Sequence, residues 1–309
     1  MSLLVLTWLS IAVIAFFTVV MLVVVQASRY QERLVFRFWQ RVGLPLGTDD
    51  IATAVRRRIR YSTSASLTGA LIGLLVSVVA LYVNPSLASA SFIWLFIVPA
   101  VLTGMVALDV GFSLRDSLFR QGKDSPRIAR SRVTTMRDYV SPWRLRLAPV
   151  FALIATVLST GGMLLGLLGV IDGATFIRSP ALPLLAVALI VFFVGMAVER
   201  RVLRHPQPAT DTLELAWDDA FKASTFRALR LFETIVAWLA VAAAGIGMLQ
   251  GFDALTGTSW STGAGPQLFT WGYLATLSCF SFGQAQTYFR HRLWPDLTEV
   301  SAGNTTGSH

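Results

Sequence analysis

Cysteine occurs once, at Cys279, which excludes a disulfide within the chain and any cysteine-built zinc site or iron–sulfur cluster formed by one chain. Histidine occurs three times, at His205, His291 and His309, and no two have the spacing of a helical metal motif. They read as solvated loop residues, and no metal site is expected. Lysine is nearly absent: Lys123 and Lys222 are the only two, so 24 of the 26 basic residues are arginine. Charge of either sign is scarce, at 14% against ~25% in globular chains. What fills the 309 residues instead is apolar. At 54% hydrophobic, the chain carries more apolar side chain than one soluble core can bury, which implies a second apolar solvent.

Enzyme signatures are missing as well. There is no HExxH, GxSxG, Walker A or GxGxxG pattern. No aspartate pair sits at mid-depth on two spans, as an intramembrane aspartyl protease requires. Both lysines lie outside the apolar runs, which excludes a retinal Schiff base within a rhodopsin-like bundle. A cofactor is not expected, and an enzyme is the weaker reading.

A spanning helix needs ~17–25 predominantly apolar residues. Seven stretches meet or approach that: 3–25, 67–83, 92–108, 147–171, 181–198, 234–249 and 268–282. The last is the least apolar and contains Thr, Ser, Cys and Gly, residues suited to helix–helix contact. The first reads as an uncleaved anchor, because no basic segment precedes it and it exceeds an h-region of ~7–15 residues. The connections alternate in charge. Residues 28–62 hold eight Lys/Arg, 113–147 nine, 199–230 six and 289–309 two, which is 25 of the 26. Only Arg178 lies in the other set of connections. Charge at mid-bilayer costs at least ~2.5 kcal/mol per residue, and basic loops face the cytoplasm. The expected fold is therefore all-α: a polytopic membrane bundle of seven transmembrane helices over 1–289, N-terminus outside and C-terminus cytoplasmic, with amphipathic cytoplasmic connecting helices. Residues 290–309 read as a short, disordered cytoplasmic tail, and the location as a bacterial inner membrane.

Directly after the first span comes RYQERLVFRFWQR (29–41), with Arg29, Arg33, Arg37 and Arg41 at every fourth position. On a helix they form a slowly winding ridge, with Trp39 and other aromatics on different faces. Arginine toward anionic lipid phosphates and aromatics at headgroup depth is one use of such a segment. Docking a cytoplasmic protein is another. Nucleic acid is not expected: each basic cluster abuts a span, and no nucleic-acid module has room. In RDYVSPWRLRL (137–147), Pro142 breaks a helix, Trp143 suits headgroup depth, and Arg144 and Arg146 anchor the next span.

Behind the first span the chain reads as three hairpins entered from the cytoplasm. Their outer turns are 84–91, 172–179 and the Gly/Ser/Thr-rich 251–266, the last read as a flexible surface loop. TDDIATAVRRRIRYST (48–63) aligns without gaps to TDTLELAWDDAFKAST (210–225), which suggests a parallel repeat or chance similarity between two juxtamembrane helices. Glycines four apart (Gly69/Gly73, Gly162/Gly166, Gly247/Gly251) permit close helix approach, with packing inside one chain the expected use over dimer formation.

Ionisable residues within spans are the functional candidates. These are Asp109, Glu199 and Glu233, each near an inner span end. They either mark the membrane boundary or converge on a cytoplasm-facing polar vestibule. Paired acids Asp218–Asp219 and Asp49–Asp50 read as exposed helix-surface residues.

The motifs RVGLPL (41–46), RDYVSPW (137–143) and RHPQP (204–208), with the arginine-rich loops, resemble a group of uncharacterised multi-pass membrane proteins of high-GC Gram-positive bacteria. The resemblance implies a transporter subunit accompanying an ABC-type ATPase or a transcriptional regulator, and it transfers no catalytic residue. The expected function is a transport component or membrane partner subunit that docks through basic loops. The alternatives are a sensor or scaffold that moves nothing, and a lipid-modifying enzyme with a site near Asp109 and Glu199.

Overall fold

The computed structural model describes residues 3–44, 49–83, 96–119, 134–204, 212–281 and 288–295. Regular structure among these residues is helical throughout. The helices are α1 (Leu3–Val24), α2 (Ser28–Val42), α3 (Asp49–Val83), α4 (Val98–Phe119), the single turn α5 (Met136–Tyr139) and α6 (Pro142–Leu167). They continue with α7 (Gly173–Arg178), α8 (Ala181–Arg204), α9 (Thr212–Thr256), α10 (Trp260–Ser281) and α11 (Tyr288–Leu293).

Six of them, α1, α3, α4, α6, α8 and α9, are long and apolar enough to cross a membrane. The seventh expected span does not join them. α10 has 22 residues, which is length enough, but its Thr, Ser, Gly, Gln and Pro lower its apolarity. Its Gly272 lies directly against the indole of Trp238, and Trp238 Nε1 donates to the Phe269 carbonyl at 3.4 Å. α10 is thus fitted to a helix rather than built for lipid on all sides. Of the expected third span, 92–108, residues 92–95 lie outside the described residues, and α4 continues past its expected end to Phe119.

Two helices outrun any bilayer. α3 has 35 residues and α9 has 45, so at 1.5 Å per residue they extend ~53 and ~68 Å, against a hydrocarbon core of ~30 Å. The segments that align with each other, 48–63 and 210–225, lead into these two helices; Thr48, Thr210 and Asp211 lie outside the described residues.

The overhanging parts bury a core at the basic end. Val35 and Val42 of α2, Leu44, Val55 of α3, Tyr139, Val140, Val202, and Ala216, Trp217, Ala220 and Phe226 of α9 form it, with Phe289 of α11. Phe38 stacks on Phe221 at 6.2 Å between ring centroids. Of the expected disordered tail, residues 290–293 continue the helix α11 instead, Leu293 and Trp294 pack against this core, and Arg290 Nη1 donates to the carbonyls of Gly43 (2.8 Å) and Val42 (3.3 Å). That guanidinium satisfies carbonyls left open at the end of α2. Residues 296–309 lie outside the described residues. Gly43 has φ +68° and its Cα faces Arg290, so a side chain there meets both backbone strain and a collision. Arg290→Ala is expected to raise hydrogen exchange of residues 36–44 severalfold while α6 exchange is unchanged. Equal exchange in α2 would show that Arg290 does not hold its end.

At the far end, two connections expected as plain loops are structured. Asp172 caps α7, accepting from Ala174 N, Thr175 N and Thr175 Oγ1. The Thr175 hydroxyl chiefly holds its carboxyl below the usual carboxylate range. α7 then drives Phe176 to complete burial against Gly162 and Gly247. Residues 251–266, expected as flexible, are mostly helical. α9 continues to Thr256, turns at Gly257 (φ +70°), and α10 begins at Trp260. Asp253 accepts from Trp260 N, Ser261 N and Thr258 Oγ1 and so ties the two helices together.

The spaced glycines all face other parts of the same chain. Gly69 and Gly73 of α3 lie against the backbone of Gly104 and Ala100 in α4, Gly166 against Gly173, and Gly251 against Ile171 and the Asp172 carbonyl.

Candidate functional site

Glu199 stands near the end of α8, and Arg230 and Glu233 stand three residues apart on α9, hence on one face. The structure joins all three. Arg230 Nη2 donates to Glu199 Oε2 at 2.5 Å, with Nε 2.5 Å from Oε1, so the guanidinium meets this carboxylate edge to edge. Arg230 Nη1 donates to Glu233 Oε2 at 2.8 Å. All are buried, with exposures of 5% for Glu199, 8% for Arg230 and 2% for Glu233, so water contributes little to the charge balance. Glu233 Oε1 has no hydrogen-bond partner among the described residues and rests against Gly195 of α8, where any larger residue would strike it. One cation thus serves two carboxylates, and the group clamps α8 to α9.

Asp109 goes elsewhere. It accepts a short hydrogen bond from Ser62 Oγ of α3, and Arg227 and Arg58 are the cations that act on it. Arg58 in turn donates to Thr225 Oγ1 at 3.2 Å and lies 4.2 Å above the centre of the Phe221 ring. Asp109 of α4 thus faces Arg227 and Arg58, whereas Glu199 of α8 and Glu233 of α9 share Arg230, with Arg227 and Arg230 three residues apart on α9.

Two participants escape the sequence. Arg230 counts there as a loop charge, although its i, i+3 spacing to Glu233 is a legible sign of a partner. Asp219, taken as an exposed surface acid, is fully buried and accepts from Tyr139 Oη at 3.0 Å and Trp294 Nε1 at 2.9 Å. Its donors come from residues 80 and 75 positions away, which local pattern cannot reveal. Asp218 is half-buried, and the side chains of Asp49 and Asp50 lie outside the described residues.

Of the residues expected to meet lipid headgroups or a partner, Arg29, Arg33, Arg37, Trp143 and Arg146 are exposed. The side chain of Arg41 lies outside the described residues. Trp39 is half-buried against the basic-end core, beside Phe36 at 5.5 Å. Arg144 departs from an outward anchor. It is buried, and its Nε donates to the Cys279 carbonyl at 3.0 Å, tying α6 to α10.

Among the described residues no group of three or more His, Cys, Asp or Glu could hold a metal ion. Compared with family models, curated proteins and solved structures, the chain matches none.

Proposed function

We propose that the chain is a seven-span protein of the bacterial inner membrane, N-terminus outside and C-terminus cytoplasmic, that works without catalysis as a partner subunit. Its basic cytoplasmic face docks a soluble protein, an ABC-type ATPase or comparable cytoplasmic partner, while anionic lipid headgroups meet the arginines at the membrane edge. The charge distribution supports the orientation, with 25 of 26 basic residues on one set of connections. α10 supports the seventh span, since its 22 residues extend ~33 Å against a core of ~30 Å and it is partly shielded by α9.

The observation that carries the docking role is the state of α2. A helix lying on a membrane surface turns its apolar face into lipid. Here Val35, Val42 and Phe38 are instead locked into a protein core, while Arg29, Arg33 and Arg37 point out from it. Arginines held at fixed spacing on a rigid element suit recognition of acidic side chains better than diffuse lipid attraction. A carrier mechanism gains less support, because Glu199 and Glu233 are already engaged by Arg230.

The test is purification from the native host in nanodiscs, followed by mass spectrometry. A stoichiometric soluble ATPase or regulator is expected with the wild type and lost in the R29E/R33E/R37E variant. Exchanging anionic for neutral lipid should leave it bound. A preparation that holds lipid alone, or a variant that keeps its partner, would end the docking reading.

A further inference from the structure

Away from the ionic clamp, toward the far end, α6, α9 and α10 flank an open groove of about 530 Å³. Along α9 it runs from Trp238 to Phe252, which at 1.5 Å per residue is ~21 Å. Its walls are hydrocarbon and aromatic, including Leu158 of α6, Ile246 and Phe252 of α9, and Phe269 of α10. The one indole N–H on its wall, that of Trp238, is turned to the Phe269 carbonyl. Gly245 and Gly265 leave the space open: an added Cβ on Gly245 meets nothing within 4 Å, and one on Gly265 only ordinary contacts from 3.6 Å. The groove opens beside Val170 and Phe252, which are 52% and 40% exposed.

Its proportions select an occupant. A volume of 530 Å³ over that length leaves a mean section of ~25 Å². That section is the space open to atom centres, and an α-helix ~10–12 Å across spreads its outer atom centres over roughly twice as much. A partner helix, or one from a second copy, is therefore too thick. A polar solute would lose its hydration with no donor or acceptor in return. A single extended hydrocarbon chain fits, and the ~21 Å length exceeds the ~15 Å half-thickness of a hydrocarbon core, enough for a tilted chain along one leaflet. We propose that this groove is a binding site for one acyl chain of a membrane phospholipid, entering beside Val170 and Phe252 and ending at Trp238. The inference rests on the membrane reading of the six apolar helices and is independent of any docked protein.

The probe is a phospholipid brominated along its acyl chain, incorporated in nanodiscs with the full-length protein. After detergent extraction, native mass spectrometry is expected to find one brominated phospholipid retained per wild-type chain. Gly245→Phe fills the groove and should lower retention at least about tenfold, the equivalent of denying burial to two methylene groups. Bromine also quenches indole fluorescence, so the quenching assigned to Trp238 by difference from Trp238→Phe should fall in the Gly245→Phe protein. Gly265→Leu tests the same space from α10 should the first variant not fold. Equal retention in wild type and filled variants, or retention of detergent only, would overturn the site. A partner subunit missing from the same preparation would count against the docking reading alone.

Discussion

Gly104→Ala is expected to destabilise the chain by about 3 kcal/mol, although it adds a single methyl group. The Cβ would land on the carbonyl of Gly69 and press on the Gly73 amide. These are backbone atoms, which cannot rotate away as a side-chain tip can, so α3 and α4 must separate along their shared face. The reciprocal changes at Gly69 and Gly73 meet the Gly104 and Ala100 carbonyls and should behave alike. A control lies on the same helix. An added Cβ at Gly111 meets nothing within 4 Å, so Gly111→Ala should stabilise α4 by roughly 0.5–1 kcal/mol through helix propensity. Thermal unfolding in detergent compares the two. Equal midpoints would show that the helices do not touch where the glycines face each other.

The second large effect concerns the ionic clamp. Arg230→Met should cost roughly 3–5 kcal/mol, because it leaves Glu199 and Glu233 buried beside each other with their shared cation removed. Glu233→Gln should cost far less, since the two-pronged Arg230–Glu199 pair survives and the surplus negative charge is removed. A triple change, Glu199→Gln, Arg230→Met and Glu233→Gln, is expected to recover much of the loss, because a neutral set has no uncompensated charge to bury. Denaturant titration of the four proteins in one detergent measures this. The three groups would not act as a unit if Arg230→Met were no worse than Glu233→Gln.

The parts legible in the sequence are those set by local chemistry. Apolar runs located α1, α6 and α8 closely, and glycine spacing marked the face of α3 that meets α4. The arginine ridge of α2 was legible too, but the fate of its other face was not: Phe38 and Trp39 suit a headgroup layer as well as a protein core, and only Trp217 and Phe221 decide between them. Residue 290 looked like the start of a tail because a short polar end carries no periodic signal. Its contacts lie far along the chain: the Arg290 guanidinium reaches the end of a helix 247 residues earlier, and Trp294 donates to Asp219. Glu199 and Glu233 were recognised as candidates by their depth, whereas their union through Arg230 depends on how α8 crosses α9.

α9 has no proline and no break over 45 residues. Trp217, in the basic-end core, and Phe252, at the mouth of the far groove, are thus fixed points on one rod, 35 residues or ~52 Å apart. Between the basic end and the far end the helix has no interruption at which it could hinge. The glycines that seat this rod against Phe176 and Ile171, and the arginine that pins it to α8, act as its bearings. A load on the basic face and a chain held in the groove would thus bear on one and the same helix, and if either shifted the affinity for the other, the effect would run equally in both directions.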